Sequence, residues 1–193
     1  MQAIDNDEAD LVEQAGAGDV AAFEQLYRMH SGRVYGLCVR LAANRAEAED
    51  CTQDTFVTAW QRLADFRGDS RLSTWLHTIA YHEVIGRRRR ETRNARHLSA
   101  AGAGEAERVD YADSAELEDL ERAILRLPDR AREAFVLQKI YGYTHDEAAG
   151  IMGITAGACK SQVHRAVQLL AGALPRENGD DDGTGMSAGG GAR

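Results

Sequence analysis

The chain has 193 residues, a formal net charge of −8, 44% hydrophobic and 6% aromatic residues, and two prolines. Scarce β-branched and aromatic runs exclude a sheet-built fold, and so few prolines leave room for long uninterrupted helices. An acidic total excludes indiscriminate coating of nucleic acid, so the placement of charge matters more than its sum.

Acidic residues crowd the first ten positions (Asp5, Asp7, Glu8, Asp10) without the apolar run of a signal peptide, which sets 1–17 apart as an acidic N-terminal segment. A first helical body is expected over 18–93. Asp19 caps a helix carrying Ala22, Phe23, Leu26 and Tyr27, and Val34, Leu37, Cys38 and Leu41 continue the spacing. In 45–64, Ala48, Cys51, Thr55, Phe56, Ala59, Trp60 and Leu63 share one face, opposite Asp50, Gln53, Asp54 and Gln61. That acidic, amide-bearing face is either a solvated surface or a dock for a protein helix, and spacing alone leaves both open.

The loop FRGDS (66–70) carries turn residues, and a long helix begins near Arg71. Leu72, Trp75, Leu76, Ile79, Ala80 and Val84 form its inward stripe, with Thr74, His77, Thr78, Tyr81 and His82 outward. Arg87, Arg88, Arg89, Arg90, Arg93 and Arg96 follow against a single Glu91, and cations there suit the C-terminal end of a helix dipole. Aromatic rings beside arginines suit unstacked bases, which stack on the rings while the arginines hold the backbone. The alternative makes Trp75 and Tyr81 core residues and the arginines a solvated helix end. His77 and His82, five apart, do not converge on one helix face, so neither a metal site nor a cofactor is expected.

Residues 94–114 lack apolar periodicity and read as a flexible linker, and the Gly- and Asp-rich 175–193 as a disordered tail. Between them, 115–174 form a second helical body. Ser114 caps a helix with Leu117, Leu120, Ile124 and Leu127 inward, and Leu127-Pro128-Asp129 ends it and starts another carrying Ala131, Phe135, Val136 and Ile140. Gly142 closes that helix. Thr144 and Glu147 make a capping box for a short helix that stops at Gly153, and Thr155 caps a last helix with Cys159, Val163, Val167 and Leu170 inward.

Two helices joined by the tight turn Met152-Gly153-Ile154, with small Ala148 and Ala149 at their crossing, make a helix-turn-helix. Thr155 opens the last helix, whose outward face offers Lys160, Ser161, Gln162, His164 and Arg165. These residue types read phosphates and base edges on a helix that enters the major groove. Cys38, Cys51 and Cys159 are odd in number and far apart, which predicts buried free thiols in a reducing cytoplasm. No window reaches the length of a membrane span, so no membrane insertion is expected.

The run AEDCTQDTFVTAW (48–60), with FRGDSRLSTWLHTIA (66–80) and RRRR (87–90), resembles region 2 of bacterial sigma factors. LPDRAREAFVLQKIYGYTHDEAAGIMGITAGACKSQVHRA (127–166) resembles region 4. With only a linker between them, the chain resembles the extracytoplasmic-function group of the sigma-70 family. The resemblance implies an all-α protein of two small helical domains and no enzymatic activity, a promoter-specificity subunit serving core RNA polymerase. It implies that Asp50, Gln53, Asp54, Phe56 and Trp60 meet the β′ clamp, and that residues 129–141 meet the β flap. It implies −10 reading and melting by Phe66, Arg67, Ser70, Arg71, Trp75, His77, Tyr81 and His82, with Arg87, Arg88, Arg89 and Arg90 along the backbone. Thr155–Arg165 fall on the −35 reading helix, and an anti-sigma protein is an expected partner.

The chain departs from the family where Tyr-Arg-Ile-Ala-Arg-Asn reads His77-Thr78-Ile79-Ala80-Tyr81-His82, and where an aspartate before the arginines is Gly86. In the last helix an acidic residue and an arginine give way to Ala156 and Gln162, so base preference is expected to differ. Two other functions fit parts of the pattern. A conventional helix-turn-helix regulator would bind duplex DNA tightly without polymerase, and a metal-dependent nuclease would need the convergent ligands that His77 and His82 do not supply.

Overall fold

The computed structural model describes residues 2–42, 44–100 and 119–173, with side-chain surroundings confined to 7–42, 44–95 and 120–173. Every described element is helical: α1 (Gln2–Gly16), α2 (Val20–Leu41), α3 (Arg45–Arg62) with a 3₁₀ turn at Leu63–Asp65, and α4 (Leu72–Ala100). The second body comprises α5 (Asp119–Leu125), α6 (Asp129–Phe135) with a wider turn at Val136–Ile140, α7 (His145–Met152) and α8 (Ala156–Ala173).

The caps follow the chemistry of the sequence. Asp19 accepts from the Ala21 and Ala22 amides at 2.8 and 3.1 Å. Asn44 accepts from Glu47 at 2.8 Å and starts α3. The acidic N-terminal segment is itself a helix, packed on α2 and the 3₁₀ turn through buried Ala15, with Glu8 2.6 Å from the His30 ring. At the other end of the first body α4 runs on to Ala100, so residues 94–100 of the expected linker are helical. No proline interrupts that stretch, and its Ala, Arg and Leu residues favour helix. The rest of the linker, Ser114, Leu117 and the tail lie outside the described residues.

α2, α3 and α4 close around Leu26, Val34, Leu37, Cys38, Leu41, Ala48, Cys51, Leu76, Ala80 and Val84. α6, α7 and α8 close around Ala131, Ala134, Leu137, Ala148, Ile151, Cys159 and Ala166. Removing a side chain such as fully buried Leu37 would cost about 2–5 kcal/mol, from lost burial and the cavity left behind. The three cysteines are free and buried, and burial pushes the Cys38 thiol up to about 11. Among the described residues no helix is long and apolar enough to cross a membrane.

Several expected inward positions prove exposed. Leu120, Ile140, Val167 and Tyr27 are open to solvent, and Ala166 takes the core position next to Val167. Each open residue lies at the edge of a helical stripe, where a shift of one position along the sequence rotates a side chain by 100°. The two bodies also touch: α2 meets α5 and α6, and α4 meets α7.

Candidate nucleic-acid interface

The helix-turn-helix is built from its caps inward. Glu147 N–H donates to Thr144 Oγ1 at 3.2 Å, and Thr144 N–H donates to Glu147 Oε2 at 2.8 Å. The hydrogen bonds from Thr144 hold the Glu147 carboxyl below its usual range. Gly153 ends α7 at φ 64°, a left-handed cap that a side chain adopts only with strain, and turns the chain straight into α8. Thr155 Oγ1 accepts from Ala158 N–H at 3.2 Å.

Cys159, Val163, Ala166 and Leu170 then fix the rotation of α8 by burial. Lys160, Ser161, His164 and Arg165 are left exposed with Thr155, and Gln162 half-exposed. The outward row is therefore the expected one. The Ser161 hydroxyl donates to its own helix at Gly157 O, 3.0 Å away, so part of its polarity is spent locally.

On α4 the placement is mixed. His82, Arg89 and Arg90 are exposed, as are Arg67, Ser70 and Arg71 in the preceding loop. Trp75 is half-buried and lies against Phe66 with ring centroids 5.2 Å apart, so it props the loop. A cleft of about 640 Å³ opens between that loop and α1, lined by Val12, Gly16, Leu63, Phe66, Arg67 and Leu72. Sequence periodicity gave no sign of this cleft, because α1 and the loop are brought together only by folding. On α3, Asp50, Gln53 and Asp54 are exposed, Trp60 partly so, and Phe56 is buried. Phe23 packs on Trp60 and Tyr27 on Phe56, with centroids 4.9 and 4.7 Å apart. Exposed Val57 adds apolar surface to that side of the helix, a residue that reading α3 as one stripe passed over.

The sigma-70 region 2 family matches residues 26–94, and the sigma-70 region 4 family residues 117–170. The chain is 31% identical to the RNA polymerase sigma-H factor of Pseudomonas aeruginosa, covering 85% of this chain and 92% of that protein. It is also 31% identical to the ECF RNA polymerase sigma factor SigW of Bacillus subtilis, covering 82% of this chain and 92% of that one. The sigma factor RpoE of Bartonella quintana, solved in complex with the anti-sigma factor NepR, superposes with a TM-score of 0.65 at 29% identity, over 79% of this chain and 96% of that one. The chain belongs to the extracytoplasmic-function group of the sigma-70 family. It is a transcription initiation factor, a promoter-recognising subunit and not an enzyme.

In this sigma factor three expected outward residues of α4 turn inward. His77 and Tyr81 are each 2% exposed, and Arg88 is half-buried. Their covering is the region 4 body. His77 Nδ1 shares a 2.6 Å hydrogen bond with the Tyr143 hydroxyl and lies edge-on to the Tyr141 ring. The Tyr81 hydroxyl donates to Glu133 Oε2 at 2.9 Å, and Arg88 donates to Glu133 Oε1 at 3.1 Å. Burial, then the Glu133 charge, raises the Tyr81 phenol well above its ordinary range. The arginine run therefore divides by task. Arg87 bonds Asp50 and Asp54 at 2.8 and 3.0 Å, Arg88 faces region 4, and Arg89 and Arg90 face solvent. Glu133 and Tyr143 went unnoticed in the sequence, where nothing marks contacts made at separations of 52 and 66 residues.

Proposed function

We propose that this sigma factor carries core RNA polymerase to promoters through two contacts, α8 in the −35 major groove and the loop 66–71 with α4 at the −10 element. The observation that carries this reading is the exposed polar row Thr155, Lys160, Ser161, Gln162, His164 and Arg165 on a helix whose rotation is fixed by burial. Lys160 and Arg165 serve phosphates or guanine edges, and Gln162 suits adenine. Phe66, Arg67, Ser70, Arg71, Trp75 and His82 serve the melted −10 strand, with the cleft beside Phe66 roomy enough for an unstacked base. Arg89 and Arg90 follow the neighbouring backbone.

On the protein side, Asp50, Gln53, Asp54 and Trp60 meet the β′ clamp, and Phe56 supports them from beneath. Residues 129–141 meet the β flap. Two modest DNA contacts tied through one chain and the polymerase give a high effective concentration, which lets an acidic chain be specific. The factor works in the cytoplasm beside core polymerase, and an anti-sigma protein restrains it, by likeness to the relative solved with NepR.

Run-off transcription with core polymerase on a promoter library tests the reading. Specific starts with core, and weak duplex binding without it, are expected. Tight duplex binding by the chain alone with no specific start would instead favour a conventional helix-turn-helix regulator.

A further inference from the structure

A seam of polar contacts joins α3 to α4 along one edge of their packing. Thr58 Oγ1 donates to Glu83 Oε1 at 3.2 Å, and one turn further along α4 the half-buried Arg87 reaches across to two carboxylates of α3. Its Nη1 donates to Asp50 Oδ2 at 2.8 Å and its Nη2 to Asp54 Oδ2 at 3.0 Å, so one guanidinium spans two residues a helical turn apart. The sequence explains the direction it takes. Leu76, Ala80 and Val84 are buried in the core that α4 shares with α2 and α3, and Arg87 continues that stripe three residues after Val84. Arg89 and Arg90 are rotated off the stripe and stay exposed. Asp50 and Asp54 are themselves exposed, and among the described residues only Oδ2 of each carboxylate is engaged in a hydrogen bond.

We propose that Arg87 is a positioning residue for polymerase docking and not a promoter contact: it holds Asp50 and Asp54 side by side, with Oδ1 of each left for N–H or cationic groups of core polymerase. The proposal rests on the reading of α3 as the polymerase-docking helix. Asp50 and Asp54 are like charges four residues apart on one helix, which repel each other and, without a shared partner, sample several rotamers. A cation common to both removes the repulsion and fixes the two side chains before polymerase arrives, so docking costs less side-chain freedom. Arg87 also cancels one negative charge of the face, which acts in the opposite sense. Between exposed groups in salt that effect is screened, and the ordering of two side chains outweighs it. The bridge occupies Nη1 and Nη2, the edge of the guanidinium that a DNA phosphate would otherwise take.

Equilibrium binding of the full-length chain to core polymerase, without DNA, tests this. Arg87→Ala is expected to weaken binding about fivefold, the scale of one or two side chains left to be ordered at the interface. Arg87→Lys should fall between Arg87→Ala and wild type, because a single ammonium cannot fork to both carboxylates. Asp50→Asn with Asp54→Asn should weaken binding too, and adding Arg87→Ala to that pair should cost nothing further, the mark of residues that act together. On promoter DNA the Arg87→Ala holoenzyme should keep the wild-type salt slope, whereas Arg89→Ala lowers it by about 1. Core binding unchanged or tighter in Arg87→Ala, while the paired Asn substitutions weaken it, overturns the proposal. So does an equal loss from Arg87→Ala with and without the Asn substitutions, or a lowered salt slope with core affinity intact. A lower unfolding temperature with core affinity unchanged would leave Arg87 an ordinary ion pair and also overturn it. Should the paired Asn substitutions leave core binding unchanged, the docking reading of α3 fails, and the role of Arg87 fails with it.

Discussion

Buried against Tyr141 and Tyr143, the His77 ring is held neutral, its pKa pushed down to about 4 by burial first and by the Arg33 and His30 charges next. Uncovering the ring returns it toward its ordinary 6.5. The closed arrangement is therefore fully supported above pH 6.5 and loses support as pH falls from there toward 4, because only the uncovered ring takes the proton. Between pH 8 and pH 6 the equilibrium for uncovering His77 should rise about fourfold, read by the distance between spin labels on cysteines introduced at exposed Arg28 and Gln168. A flat profile, or opening at high pH, would contradict it.

On α8 the exposed cations make a separate prediction. Lys160→Ala and Arg165→Ala should each weaken −35 dependence, and each lost phosphate contact should lower the salt slope of binding by about 1. Unchanged slopes in both would take these side chains off the phosphates. The outward row of α8 was legible in sequence because that helix has a single buried side. On α4 the same reasoning placed His77 and Tyr81 outward, since periodicity registers one stripe while α4 packs against α2 and α3 and, as a second partner, against the region 4 body. The second partner lies 52 residues on for Tyr81 and 66 for His77.

At the scale of elements, α7 and α8 were readable down to their caps, because capping boxes and left-handed glycines are local chemistry. Two glycines give a paired stability test with opposite signs. Neither would crowd a neighbour with an added Cβ, so backbone conformation alone decides. Gly153→Ala at φ 64° should destabilise the region 4 body by about 1 kcal/mol. Gly157→Ala inside α8 should stabilise it by about 0.5–1 kcal/mol. Thermal unfolding of the two variants checks this, and equal shifts would mean that Gly153 is not held left-handed.

The loop before α4 gives a second test at this scale. Trp75 supports Phe66, so Trp75→Ala should spare −35 binding and slow promoter opening. An unchanged opening rate in a folded variant would reduce Trp75 to a core residue. Sequence reasoning left Trp75 undecided between base contact and core, and the structure places it half-buried against Phe66 of the loop.

For the whole molecule, the net charge of −8 conceals a division that the chain order made visible: acid at the N-terminus, base at the end of α4. The fold class and the two bodies were legible for the same reason, since amphipathic stripes, caps and a gap in periodicity are all local signals. The docking of one body on the other was not, because the residues that meet there, such as Tyr81 with Glu133 and His77 with Tyr143, lie far apart in the chain.

If one chain reads both promoter elements at a separation set by the polymerase, run-off transcription with core polymerase will depend on spacing when the −35 to −10 spacer of a cognate promoter is lengthened stepwise through about half a helical turn, about 5 base pairs. Initiation should peak at one spacing and fall sharply when the −35 element is rotated to the opposite side of the duplex. Equal initiation at every spacing, or specific duplex binding that needs no polymerase, would contradict a polymerase-spaced reading of two elements.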